Sequence, residues 1–375
     1  MQTAEELIRK RLKEREVQGS LRTLSCTTLP VDFCSNDYLG FARSETLKKR
    51  IEQLSQGLPY YKNGASGSRL LSGNHPFSIA TENIIADFHR AEAGLIFNSG
   101  YDANLGLLSS LPQAGDTIIA DELIHASLID GARLSKATRY TFKHNDLDSL
   151  EGRFKIATGI IYVLIESVYS MDGDLAPIKE ILQLCQKYKA NLIVDEAHAL
   201  GILGQHGKGL VNDLGLQDQV FARVVTFGKA LGCHGAIVLG SEVLRQYLIN
   251  FARSFIYTTA APLHNLISIK CAYEMLAEQD HQPEIAATIN TYKQAIAAAG
   301  IPTETTPSAI QNIQFGNNEA AKSAAKTLQS QGIDVRAILS PTVPKGKERL
   351  RICLHTFNTA AEIQQLVKGL SQLKS

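Results

Sequence analysis

Two short segments of this chain carry side chains suited to covalent amine chemistry. Asp195-Glu196-Ala197-His198 follows the apolar run Asn191–Val194, and Thr226-Phe227-Gly228-Lys229 follows Val224-Val225. Runs of this kind read as buried strands of a parallel sheet, and α/β folds bind their ligands at the ends of such strands. A primary amine and a carboxylate delivered to one crevice suit pyridoxal phosphate. Lys229 would form a Schiff base with that cofactor, and Asp195 would keep its ring nitrogen protonated. Taken singly, Lys229 also reads as a surface lysine and Asp195 as a turn residue, so the surrounding segments must decide.

Those segments supply the remaining parts of such a site. Asn98-Ser99-Gly100-Tyr101 follows a strand and opens a helix over 102–111. Free backbone N–H groups at a helix start, with the helix dipole, form a phosphate site; plain capping by Ser99 is the competing explanation. His125 could lay a flat imidazole on the cofactor ring, although a histidine before a helix is often just a polar surface residue. His198 and Ser170 could reach the cofactor's phenolic oxygen, and Thr226 could place a hydroxyl on its phosphate.

The elements that must position these residues are legible as alternating patterns. Apolar runs at 94–97, 117–120, 159–165, 191–194, 223–226 and 236–239 read as strands, and helical patterns lie between them. One is 178–188, with Ile178, Ile181, Leu182 and Cys185 on one face. Strands alternating with helices imply an α/β fold with a mostly parallel, doubly wound sheet. From about residue 266 the pattern changes to a helix over 266–278, strands at 310–315 and 350–354, a helix ending near Gly332 and a final helix. The expected organisation is an N-terminal helix and arm over 1–40, a large cofactor-binding domain over 41–265 and a smaller C-terminal α+β domain over 266–375.

Bulk properties narrow the class further. The chain has 375 residues, 44% hydrophobic and 20% charged, with a formal net charge of +1. That is an ordinary globular composition with no nucleic-acid signature. No apolar run reaches the ~18 residues of a membrane span; Ile156–Val168 comes nearest and contains Glu166. Six cysteines are scattered without C-x-x-C spacing, so neither disulfides nor a metal site is expected and a cytoplasmic location fits. Residues 3–18 predict a basic helix with pairs such as Glu5–Arg9, read as a solvated face. A landing strip for an acidic acyl carrier or for coenzyme A phosphates is the functional alternative.

Six motifs in order resemble the α-oxoamine synthases. They are Ser35-Asn36-Asp37-Tyr38-Leu39-Gly40, Gly67-Ser68-Arg69-Leu70-Leu71-Ser72-Gly73, His125-Ala126-Ser127, Ser170-Met171-Asp172-Gly173-Asp174, Asp195-Glu196-Ala197-His198 and Thr226-Phe227-Gly228-Lys229. The resemblance runs from about Arg22 to the C-terminus. Members are fold-type I pyridoxal phosphate enzymes that condense an amino acid with an acyl thioester. The likeness implies that Lys229 anchors the cofactor, Asp195 pairs with its ring nitrogen, and His125 stacks on the ring. It further implies that His198 and Ser170 bond the phenolic oxygen. Thr226, the Ser99-Gly100-Tyr101 turn and, from a partner subunit, Thr258 or Thr259 would contact the phosphate, which makes a homodimer expected. Arg22, Asn36 and Arg351 match substrate positions. The sequence departs from some relatives at Ala199 and at Leu339, where an additional arginine can stand.

Ser254-Phe255-Ile256-Tyr257-Thr258-Thr259-Ala260-Ala261-Pro262 and Pro341-Thr342-Val343-Pro344 with Arg349-Leu350-Arg351 are similar to one branch of that family. This branch serves biotin biosynthesis by joining L-alanine to a pimeloyl thioester, carried on coenzyme A or on acyl carrier protein, with loss of CO2. A glycine-using relative that takes acetyl-CoA remains an alternative, as does a catalytically silent subunit that supports an active partner.

Overall fold

The computed structural model describes residues 3–24, 26 and 29–374. Its strands, in chain order, are β1 (Val31–Asp32), β2 (Ala93–Phe97), β3 (Thr117–Asp121), β4 (Thr138–Phe142), β5 (Ile161–Glu166), β6 (Asn191–Asp195), β7 (Ala222–Thr226), β8 (Ala236–Gly240), β9 (Ile310–Gln314), β10 (Ile333–Asp334), β11 (Arg336–Ile338) and β12 (Arg349–Cys353). The chain divides into two compact units. The larger comprises Asn36–Ser170 and Asp174–Ile285; the smaller comprises Met1–Ser35, Met171–Gly173 and Ala286–Ser375.

The larger unit is built on a seven-stranded sheet in the order β2-β8-β7-β6-β5-β3-β4. All neighbouring pairs from β4 across to β7 are parallel, and β8 alone runs antiparallel to both of its neighbours, β7 and β2. The expected mostly parallel α/β sheet is therefore present. β2, β3, β5 and β7 are buried at every position, as strands covered on both faces must be. Each fully buried valine or isoleucine there contributes about 1.5–3 kcal/mol relative to exposure.

Register decides what meets at the strand ends. Glu166, the last residue of β5, lies opposite Asp195, the last residue of β6, and Asp195 in turn lies opposite Val224 of β7. The helix Ile178–Lys187 buries Ile178, Ile181, Leu182 and Cys185, the stripe expected from its spacing. β4 is a strand that the apolar pattern does not mark. Its residues Thr138-Arg139-Tyr140-Thr141 are polar and largely exposed at one edge of the sheet.

The smaller unit holds a three-stranded antiparallel sheet, β11-β12-β9, and the parallel pair β1-β10. Leu350, Ile352 and Ile313 are buried on one face of the three-stranded sheet and Ile310 and Cys353 on the other. The β1-β10 pairing groups the N-terminal segment with the C-terminal one, and the break between the compact units falls within the helix Gln282–Ala298. The helix Leu263–Glu278 belongs to the larger unit because it packs on the helices Glu45–Gln56 and Pro76–Phe88. The basic helix, Ala4–Val17, opens with a Thr3/Glu6 capping box, carries the Glu5–Arg9 pair and buries none of its residues. Among the described residues no helix is long and apolar enough to cross a membrane.

Candidate active site

A cavity of about 250 Å³ opens in the larger unit where the carboxyl ends of β6 and β7 meet the start of the helix Gly100–Ser110. Its lining includes Asn36, Ser99, Gly100, Tyr101, His125, Asp195, His198, Thr226 and Lys229, all candidates from the sequence. It also includes Asn104, Ser127, Glu166, Ala197, Gly228, His234 and Gly235.

Lys229 projects from a tight connection between β7 and β8. Phe227 N–H donates to the Gly235 carbonyl, Cys233 N–H to the Phe227 carbonyl and Gly232 N–H to the Lys229 carbonyl, at 2.9 Å each. Gly232 sits at φ +59° with Ala42 N where a Cβ would stand, 2.2 Å away, so no other residue fits this turn.

Asp195 is buried beneath the cavity, and both of its oxygens are bonded. Ala197 N–H donates to Oδ1 at 2.9 Å and the Asn104 amide donates to Oδ2 at 2.8 Å. The same Asn104 amide donates to Ser127 Oγ at 2.9 Å, and Ser127 Oγ lies 2.8 Å from His125 Nδ1. Ser127 N–H also points at that nitrogen, 3.2 Å away. His125 Nδ1 is thus an acceptor, which leaves the proton on Nε2. Burial lowers the His125 pKa, with the Lys229 charge adding to the effect and Asp195 opposing it. The ring is accordingly neutral at pH 7. This line of bonds joins the acid to the flat ring across the cavity floor.

At the helix start, Ser99 Oγ accepts from Asp102 N–H at 3.0 Å. The capping expected from the sequence is present, and the preceding N–H groups of a helix have no partner of their own within it. Gly100 approaches β7 so closely that a Cβ would stand 2.6 Å from Thr226 Cγ2. Thr226 Oγ1 lies 3.4 Å from the Ala197 carbonyl. Tyr101 donates its hydroxyl to Asp130 at 2.6 Å. On the other side, the Tyr38 hydroxyl lies 2.8 Å from His198 Nδ1 and 3.2 Å from Asn36 Oδ1.

Other candidates stand elsewhere. Ser170 is not among the lining residues; its N–H donates to Glu166 Oε2 at 3.1 Å. The Asn98 amide donates to Thr258 Oγ1 (3.0 Å) and to the Thr259 carbonyl (2.9 Å). Arg22 and Arg351 belong to the smaller unit. There Arg22 donates to Thr342 Oγ1 at 3.1 Å and buried Arg351 on β12 donates to Cys353 Sγ at 2.9 Å.

Sequence reasoning missed Asn104, Ser127 and Glu166 as functional residues. Asn104 follows Gly100 by one helical turn and so lies on the same helix face, a signal that could have found it. Glu166 shows in the sequence only as a lone charge ending an apolar run. Its burial, followed by the neighbouring Asp195 charge, pushes its pKa up to about 8.

Comparison with known proteins decides the relationship. The family model described as aminotransferase class I and II matches residues 29–370. An 8-amino-7-oxononanoate synthase of Emericella nidulans is 42% identical, over 97% of this chain and 94% of that protein. The chain belongs to the aminotransferase class I and II family, as an α-oxoamine synthase. A second 8-amino-7-oxononanoate synthase, from Marinobacter nauticus, is 38% identical over 92% of this chain and 87% of that protein. Among solved structures, an 8-amino-7-oxononanoate synthase from Francisella tularensis superposes with a TM-score of 0.78 at 30% identity, covering 91% of this chain and 97% of that one. A serine palmitoyltransferase from S. paucimobilis, solved with pyridoxal phosphate bound as a myriocin adduct, gives a TM-score of 0.88 at 25% identity, covering 98% and 96%.

This α-oxoamine synthase is an enzyme, and its cofactor is pyridoxal phosphate. The cavity suits that group by its donor set: an amine, a bonded carboxylate, a flat neutral imidazole and the open head of a helix. Gly100 lets that head close on Thr226, because a Cβ there would stand 2.6 Å from Thr226 Cγ2.

Proposed function

We propose that this α-oxoamine synthase condenses L-alanine with a pimeloyl thioester, releasing CO2 and the free thiol and forming 8-amino-7-oxononanoate for biotin biosynthesis. The observation that carries this reading is the 42% identity to an 8-amino-7-oxononanoate synthase across nearly the whole of both chains.

When bound, pyridoxal phosphate supplies an electron sink for a carbanion at the amino acid's Cα. The chain's own residues then have separate tasks. Lys229 would hold the cofactor through its amine, and the same amine would take a proton from the substrate Cα and return one. Asp195 holds a negative charge against the ring nitrogen, and the Asn104 and Ala197 donors fix that carboxylate in orientation. His125 offers its face to the ring and its Nε2–H to an oxygen that develops negative charge. Ser99, Gly100, Tyr101 and Thr226 would hold the phosphate, and His198 with Ser170 the phenolic oxygen. Arg351, with Arg22 and Asn36, would orient the substrate; a guanidinium gripping the amino-acid carboxylate in two bonds fixes which Cα bond breaks.

A homodimer, in which Thr258 or Thr259 of each chain serves the other's phosphate, belongs to the same proposal, and mass measurement in dilute solution tests it. A reducing, cytoplasmic setting accords with six cysteines that are all free thiols.

The deciding experiment supplies alanine with a pimeloyl thioester, or glycine with acetyl-CoA, and follows CO2 and thiol release. The first pair is expected to react faster. Faster reaction of the second pair would overturn the substrate assignment and leave the family membership standing.

A further inference from the structure

Glu166 and Asp195 are register partners at adjacent strand ends, and both line the cavity. Both are buried, Glu166 with 2% of its surface exposed. Their surroundings differ in one respect. Asp195 has a donor on each oxygen. Glu166 accepts one hydrogen bond, from the Ser170 N–H to Oε2, and the His125 N–H lies near enough to lower its pKa; Oε1 is buried without a hydrogen-bond partner among the described residues. A buried carboxylate with donors on both oxygens keeps its charge, whereas an unbonded buried oxygen beside a second carboxylate favours a proton there.

We propose that Glu166 is a positioning residue that works as a neutral carboxylic acid, protonated on Oε1, so that Asp195 is the lone anion at these strand ends. A second negative charge beside Asp195 would make that residue harder to keep ionised and would draw the Lys229 amine toward its protonated form. Neutral Glu166 prevents both effects. This inference depends on the reading that Asp195 faces the bound cofactor and not on which substrates are used.

The charged and titratable groups around Glu166 come from several elements. Asp195 lies on β6, Lys229 on the connection after β7, and His125 on the loop after β3; Tyr169 follows in its own segment. Asp121, His144 and Asp174 stand behind Tyr169. Burial and Asp195 raise the Glu166 pKa, Lys229 and the Ser170 and His125 amides lower it, and the balance falls near 8.

The consequence for stability has a definite sign. Glu166 titrates from its ordinary value of 4.5 in the unfolded chain and from about 8 in the folded one. Between these values the unfolded chain releases a proton that the folded chain keeps, so stability falls as pH rises through that window. Glu166→Gln copies the neutral acid and removes this fall. His144 titrates in an overlapping range in both proteins, so the difference between wild type and variant isolates Glu166.

The test uses full-length holoenzyme without any acyl donor, which keeps its outcome separate from that of the substrate experiment. An infrared difference spectrum, wild type minus E166Q, should show the carbonyl stretch of a protonated carboxyl at pH 7, bleaching as pH passes about 8. Bound-cofactor absorption should change over the same range in wild type and stay flat in E166Q. In Asp195→Asn the transition should move to lower pH, since one of its two causes is gone. Urea unfolding from pH 5 to 9 should show a steeper fall in stability in wild type than in E166Q, since His144 and Glu196 titrate in both. Absence of the protonated-carboxyl band at pH 7, or persistence of the absorption transition in E166Q, overturns the proposal. Should E166Q not fold, the protonated-carboxyl band that persists in Glu196→Gln, and its pH titration, decide.

Discussion

Replacing Asp195 by asparagine removes a charge while keeping a shape, and its two effects separate cleanly. For stability, Asp195 Oδ2 accepts from the Asn104 amide at 2.8 Å and Oδ1 from Ala197 N–H at 2.9 Å. The new side chain keeps one acceptor for Ala197 but turns an NH2 toward the Asn104 NH2. One hydrogen bond to a charged group, worth about 1.5–3 kcal/mol, is lost. Asn104 can recover part of it by turning its amide, because its Oδ1 has no hydrogen-bond partner among the described residues. That rotation takes the NH2 away from Ser127, so a net loss near 1 kcal/mol is expected. For catalysis, an adjacent anion shifts a partner's pKa by roughly 1–3 units, or about 1.4–4 kcal/mol. If Asp195 keeps the cofactor ring nitrogen protonated, its neutral replacement should slow turnover about 10- to 1000-fold. Urea unfolding, cofactor absorption and CO2 release measured on the same preparation separate the two effects. Turnover within about threefold of wild type in a folded, cofactor-loaded D195N protein would refute the electrostatic role.

Lys229→Ala should fold and lose covalent attachment of the cofactor; borohydride reduction with peptide mapping checks it, and an adduct on another lysine contradicts the assignment. Gly100→Ala puts a Cβ 2.6 Å from Thr226 Cγ2, so overpacking should cost about 1–3 kcal/mol and weaken cofactor binding, read by urea unfolding and cofactor titration. His144 is bonded by Asp121 (3.0 Å) and Asp174 (2.7 Å). Burial of the ring opposes its charge, yet the two carboxylates prevail and raise its pKa to about 10. Its stabilising effect should therefore be complete below the ordinary value of 6.5 and disappear as pH rises through about 10. Urea unfolding across that range should show a smaller fall in stability in His144→Ala than in wild type, the remainder coming from buried acids such as Glu166.

Much of this protein is legible in its sequence. Apolar runs ending at Phe97, Asp195 and Thr226 mark strand ends, because strands buried on both faces must be apolar throughout. The reactive residues follow those runs directly, so Lys229, Asp195, His198 and Ser99 could be assigned to one crevice from chain position alone. The stripe Ile178, Ile181, Leu182 and Cys185 is equally local, set by the period of a helix. The tertiary structure decided everything that depends on which elements become neighbours. Glu166 gains its meaning only because β5 pairs with β6 in the register that sets it opposite Asp195. Asn104 and Ser127 matter because the starts of two helices, Gly100–Ser110 and Ala126–Leu134, come together beside Asp195 and His125. The edge strand β4 lacks an apolar run and is exposed along most of its length, and β1 finds β10 across nearly the whole chain. Local pattern reports period and burial; pairing, register and the charge of a buried acid are set by contacts distant in sequence.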